Sequence, residues 1–176
     1  MTAAAHWYAL KVFYNKVLEL KGRLEGEGFE CYCPLDVAGR PLVASLLFVR
    51  CEETRIVEFR HGVMDDSAFL IYTHKELRKS PLDGVRAEVD VPTPIPEREM
   101  EAFILVTSAE PGMLEVLGPD DPKYHAGQKV RVREGVFAGA EGYVRRIKKD
   151  RRLVITVTGV VAVATFHISP SLLEPV

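Results

Sequence analysis

Residues 127–147 read GQKVRVREGVFAGAEGYVRRI. From Lys129 to Arg133 apolar and basic positions alternate strictly, with Val130 and Val132 on one side and three cations on the other, the period of a half-buried strand. Glycines at 135, 139 and 142 then divide the segment into tight turns, because a residue without Cβ enters positive φ at no steric cost. Tyr143 to Ile147 resumes as a second strand, with Phe137 presented on the loop between the two. An alternating pattern punctuated by glycine specifies antiparallel β structure and excludes a helix here.

Outward toward the C-terminus, Lys148 to Arg151 forms a charged hairpin tip, and Leu153–Thr158 and Val160–His167 are dense in β-branched residues. About five short strands in about 50 residues predict a small SH3-like β-barrel. Toward the N-terminus, residues 108–124 (SAEPGMLEVLGPDDPKY) hold Pro111, Gly112, Gly118, Pro119 and Pro122, which are expected to break regular elements and make the stretch a linker. This predicts domains at 1–107 and 125–176. The net charge of −2 over 176 residues conceals an asymmetry: residues 1–124 carry 14 basic and 21 acidic side chains, −7, and residues 125–176 carry 9 and 4, +5. An acidic body and a basic module imply different partners. No uncharged apolar run is long enough for a membrane span, and the N-terminus has neither a basic stretch nor a cleavable apolar segment, so a cytoplasmic protein is expected. Three cysteines are too few for a disulfide scaffold.

The first domain reads as α+β. Trp7–Tyr14 (WYALKVFY) is apolar at nearly every position, as in a strand covered on both faces. Asn15 is placed to cap a helix with Val17, Leu20 and Leu24 on one stripe and Lys21/Glu25 as an exposed pair. Strands are predicted at 29–33, 42–51 and 68–73. Pro96 suits the first turn of a further helix whose inner stripe is Met100, Phe103, Ile104 and Thr107.

Catalytic chemistry finds little support in these residues. The histidines at 6, 61, 74, 125 and 167 are scattered without an HExxH or CxxC pattern, so no metal and no cofactor is expected. Cys31 and Cys33 share a strand face and read as core thiols. The glycines at 135, 139 and 142 lack the following Lys-Ser/Thr of a phosphate loop. Asp65-Asp66 and Asp120-Asp121 read as solvated turn residues. No nucleophile and base pair is identifiable, which argues against an enzyme.

The order Gly127, Val130, Val132, Gly135, Phe137, Gly139, Gly142, Val144 resembles a KOW motif, with Gly142 at the position where that motif requires glycine. Trp7-Tyr8 opening the first strand, the amphipathic helix after it, Cys33–Leu35, the Gly39-Arg40-Pro41-Leu42 turn and Leu47-Phe48-Val49 resemble the NGN domain of NusG-type elongation factors. The resemblance implies an NGN-type α/β sandwich, an antiparallel sheet with flanking helices, followed by a KOW barrel. It implies a monomeric transcription elongation or antitermination factor. Its first domain would bind the clamp region of RNA polymerase and suppress pausing, and its KOW domain would recruit a ribosomal protein or termination factor. The helix PIPEREMEAFILV and the short 42–51 passage look more like the specialised, operon-dedicated antiterminators of the RfaH and UpxY type, such as those of polysaccharide clusters.

Carried over by residue, the polymerase-binding positions are Lys11, Val43, Leu46 and Phe48, although the Pro-Gly-Tyr of the family strand is Ala44-Ser45-Leu46 here. The residues alone leave Leu46 and Phe48 open between partner contact and strand core. Phe137, Arg145, Arg146, Lys148, Lys149, Arg151 and Arg152 form the expected KOW partner or weak nucleic-acid face, with phosphate contact in the absence of interleaved aromatics. The alternative is a ribosome-associated or general RNA-binding KOW protein without polymerase contact.

Overall fold

The computed structural model describes residues 3–63 and 68–176 and divides into two units, residues 1–31 with 45–94 and residues 32–44 with 95–176. Asp65-Asp66 lies outside the described residues.

In the first unit, β1 (His6–Val12), β2 (Glu30–Tyr32), β3 (Leu46–Cys51) and β4 (Phe69–Ile71) form one sheet in the order β2-β3-β1-β4. β1 runs antiparallel to both neighbours, in a register that sets Tyr8 opposite Val49 and Leu10 opposite both Leu47 and Ile71. β1 ends earlier than its apolar run suggests. Tyr14 and Asn15 both take positive φ, 59° and 56°, and this left-handed turn redirects the chain. Asn15 therefore serves the turn, and α1 (Val17–Gly26) starts from Lys16 without a side-chain cap. Its Val17, Leu20 and Leu24 are buried, and Lys21 Nζ meets Glu25 Oε1 at 2.6 Å. A second helix, α2 (Glu53–Gly62), buries only Ile56 and Phe59, too sparse a stripe to be read in advance. Phe59 bridges Phe29 (centroids 5.5 Å apart) and Phe69 (6.1 Å), locking α2 to the sheet, and Arg55 stacks 4.1 Å from the Phe29 centroid.

A two-stranded ribbon follows, β5 (Thr73–Lys79) with β6 (Arg86–Pro92), which the polar sequence does not announce. Its base is fixed by buried Val91, by His74 Nδ1 2.9 Å from Thr93 Oγ1, and by Arg78, which donates to Glu53 of α2 at 3.0 Å.

The second unit joins α3 (Glu97–Ala109) to a six-stranded antiparallel sheet. Its strands are β7 (Leu114–Gly118), β8 (Lys129–Val132), β9 (Glu141–Ile147), β10 (Asp150–Val157), β11 (Val161–Thr165) and β12 (Leu173–Pro175), in the order β12-β8-β9-β10-β11-β7. β12 and β7 are its edges, and the closure expected of a barrel is not seen among the described residues. β7 lies inside the stretch whose prolines and glycines were expected to forbid regular structure. Pro111, Gly112, Pro119 and Pro122 flank the strand and Gly118 ends it, and β7 pairs with β11. α3 buries Met100, Ala102, Phe103, Val106 and Thr107, while Ile104 is only half-buried; Pro96 is its N-cap, one position before the expected first turn. The helix packs against β10, and Glu99 accepts from the backbone N–H of Thr158 at 2.9 Å and from its Oγ1 at 2.5 Å. Lys148 and Lys149 turn the β9–β10 hairpin with φ of 50° and 71°, the mirror-image turn whose twist suits adjacent strands.

Candidate functional site

In an antiparallel sheet, directly opposed residues share a face. Trp7, Ala9 and Lys11 of β1 therefore share one face with Arg50, Phe48 and Leu46 of β3, and Lys11 also stands opposite Leu70 of β4. Of the expected contact residues on this face, Leu46 is 2% and Phe48 0% exposed. They are core residues, and this corrects the reading that offered them as a surface patch: a central strand between β1 and β2 buries what it carries. Lys11 is exposed and sits 5.8 Å from the Phe13 ring centroid. Val43 belongs to the second unit and is half-buried.

The apolar surface left open at this end of the sheet is carried by residues not singled out in the sequence, Leu70 at 50% and Tyr14 at 72% exposure. Tyr14 and Phe13 are neighbouring rings, 6.4 Å apart. Tyr14-Asn15 held the usable signal, since asparagine tolerates the left-handed region that ends the strand and swings Tyr14 outward. Exposed Lys11 thus stands beside the Phe13 ring and opposite Leu70, an arrangement suited to packing on a partner. Burial pushes the Tyr8 hydroxyl up to about 12 and the Cys31 and Cys51 thiols up to about 11, which removes them as nucleophiles at neutral pH.

In the second unit, Gly142 lies inside β9 without positive φ, so it is not the turn glycine expected from the sequence, and its reason is steric. A Cβ there would collide with the Val154 carbonyl oxygen and stand 2.7 Å from Ile155 Cδ1. At Gly127, with φ at 107°, a Cβ would lie 2.9 Å from the Val144 carbonyl oxygen. Phe137 is 5% exposed, a core residue and not the loop-presented aromatic expected.

The six cations of 145–152 do not make one face. The register pairs Arg145 with Arg152 and Arg146 with Arg151, so the two pairs occupy opposite faces of the hairpin. Arg152 is buried and bonded to Glu115 at 2.5 Å; Lys148 reaches the same carboxylate at 3.6 Å. The Arg152 hydrogen bond, and secondarily the Lys148 charge, hold the Glu115 carboxyl below the usual carboxylate range. Arg145 lies 6.0 Å from the Tyr124 ring, and Arg151 is half-buried. Arg146, Lys148 and Lys149 are the exposed members. The Asp120-Asp121 pair is structural: Asp120 accepts from Gly159 N at 2.9 Å and faces His125 Nε2 at 2.8 Å, and Asp121 accepts from Lys123 N.

No helix among the described residues is long and apolar enough to cross a membrane. Comparison with curated proteins returns no match. A family model described as transcription termination factor NusG matches residues 5–104, 100 of the 176 positions, spanning β1 through most of α3. The chain therefore belongs to the NusG family of transcription factors.

Proposed function

We propose that the chain is a transcription elongation or antitermination factor that binds the clamp region of RNA polymerase through its 1–107 segment and recruits a second factor through a KOW domain at 125–176. The observation that carries this reading is the family match over the segment that builds the β2-β3-β1-β4 sheet. The contact we assign is the patch left open on it, Lys11 with Tyr14 and Leu70. An exposed cation beside apolar side chains suits a helical protein partner, because such anchors exclude water from the charged contact. Gly142, packed against β10 where no Cβ fits, supports the KOW assignment. Service to a dedicated operon, such as a polysaccharide cluster, is part of the proposal and is checked by the gene's neighbours.

The test is a pull-down of the source organism's RNA polymerase with the full chain. Retention of polymerase by the wild type and its loss in Lys11→Glu/Leu70→Asp are expected; no retention by the wild type overturns the reading. A general RNA-binding or ribosome-associated role is the second reading, favoured by exposed Arg146, Lys148 and Lys149. It predicts RNA affinity that falls steeply with salt and no polymerase retention.

A further inference from the structure

We propose that the β5–β6 ribbon is an arm for duplex DNA, with Lys79 and Arg86 on the phosphates and Leu82 entering the minor groove. This is independent of the polymerase reading, since it concerns a different part of the unit and a different class of partner.

The charge arrangement of the ribbon asks for an anion. The register sets Lys79 directly opposite Arg86, and like charges facing across a strand pair destabilise it. Neither cation has an ion-pair partner among the described residues. From Lys79 to Arg86 the tip carries two cations and one carboxylate, Asp83. That carboxylate is engaged locally, accepting from Val85 N at 3.0 Å. The other acids lie nearer the base: Asp90 pairs with Lys75 at 2.9 Å and Glu76 with Arg78 at 3.0 Å, while Glu88 stands opposite Leu77. Anion contact is thereby confined to the tip.

The shape points to the kind of anion. Residues 81–90 are all exposed, and Leu82 is 97% exposed at the apex beside Pro81. The apex is nevertheless held in place: Ser80 N donates to Val85 O at 2.8 Å, Leu82 N to Ser80 Oγ at 3.2 Å, and Gly84 N to Ser80 O at 3.0 Å. A bare ribbon of two strands, roughly 20 Å long at about 3.3 Å per residue, is narrow enough to follow a DNA groove. A fixed apolar apex flanked by cations matches the way minor-groove proteins wedge a side chain between base steps while neutralising adjacent phosphates. A-form RNA, with its shallow minor groove, offers such a wedge no comparable slot.

The experiment uses the full chain and a fluorescein-labelled mixed-sequence DNA duplex of about 24 base pairs, a length that exceeds one arm's footprint. Anisotropy is followed across a salt series. Lys79→Ala/Arg86→Ala is expected to lower the slope of log K against log salt by about 2, at roughly 0.9 per phosphate contact. Leu82→Ser should weaken binding about fivefold or more with the slope unchanged, and should abolish any preference for a duplex carrying a mismatch, where unstacking is easier. Arg86→Glu separates contact from folding: it places a carboxylate opposite Lys79, so the thermal midpoint should not fall while DNA affinity does. The proposal is overturned if the double variant keeps the wild-type slope, if the wild type does not bind the duplex, or if duplex RNA or polyglutamate responds to these variants more than DNA does.

Discussion

Replacing Gly142 by alanine adds one methyl group at a point where the backbone of β10 already occupies its place. The new Cβ would collide with the Val154 carbonyl oxygen and lie 2.7 Å from Ile155 Cδ1 and 3.1 Å from Leu153 Cδ1. The two side chains can rotate aside, but the carbonyl is held by the β-sheet, so relief requires β9 to move away from β10. Insertion of a methyl into a packed core costs about 1–3 kcal/mol, and the rigid carbonyl places Gly142→Ala at the upper end, about 3 kcal/mol. At about 4–8 °C per kcal/mol for a unit of this size, the midpoint should fall by at least 12 °C. The control is Gly139→Ala, where φ is 92° but nothing lies within 4 Å of the added Cβ. Only the left-handed strain of about 1–2 kcal/mol applies there. Thermal unfolding followed by circular dichroism reads both. A midpoint for Gly142→Ala within 2 °C of wild type, or a larger loss in Gly139→Ala, would refute the packing account of this glycine.

Three further outcomes follow from the burial and charge pattern. Leu46→Asp or Phe48→Asp places a carboxylate in a dry core and should unfold the first unit, a loss above about 4 kcal/mol, whereas Lys11→Glu should leave the circular dichroism melt unchanged and weaken polymerase retention by roughly tenfold, about 1.4 kcal/mol. The depressed Glu115 carboxyl adds stability that is present above its unfolded value and lost as pH falls through its lower folded value. Melts between pH 3 and 6 should therefore steepen below the ordinary carboxylate range, and Glu115→Gln should flatten that dependence. With thiols raised to about 11, half-buried Cys31 and buried Cys51 should resist iodoacetamide at pH 8 until denaturant is added; fast labelling of the folded chain would contradict the raised thiols.

The sequence was most legible where a period or a special residue had one physical meaning. The alternation of Val130 and Val132 became the buried face of β8, the α1 stripe of Val17, Leu20 and Leu24 was buried, and Gly135 and Gly139 take the positive φ their turns require, whereas Gly142 lies within β9 and answers to packing instead of a turn. It was least legible where tertiary context supplied the meaning. α2 has two buried apolar positions in ten, and the β5–β6 ribbon is exposed along most of its length, so neither carries a hydrophobic period. For the candidate contact, Lys11 came only from the family resemblance, and the structure shows it exposed. Leu46 and Phe48 were not separable from core, because composition does not say which neighbour covers a strand. Tyr14 and Leu70 were hidden for the complementary reason: each is an apolar residue beside a buried run, and only the turn at Tyr14-Asn15 and the register of β4 turn them outward. The run 145–152 shows the same limit, since strand pairing sends adjacent cations to opposite faces.

The tip of the β9–β10 hairpin also bears on how this molecule could be hardened. Lys148 and Lys149 hold left-handed backbone that neither residue favours, at about 1–2 kcal/mol each. Asparagine followed by glycine is the pair that adopts this turn with least strain. Lys148→Asn/Lys149→Gly should thus raise the melting temperature, and it would do so by deleting two of the three cations that this hairpin exposes. The protein keeps charge at a position where a more rigid molecule would keep shape, and heat resistance and electrostatic reach pull this turn in opposite directions.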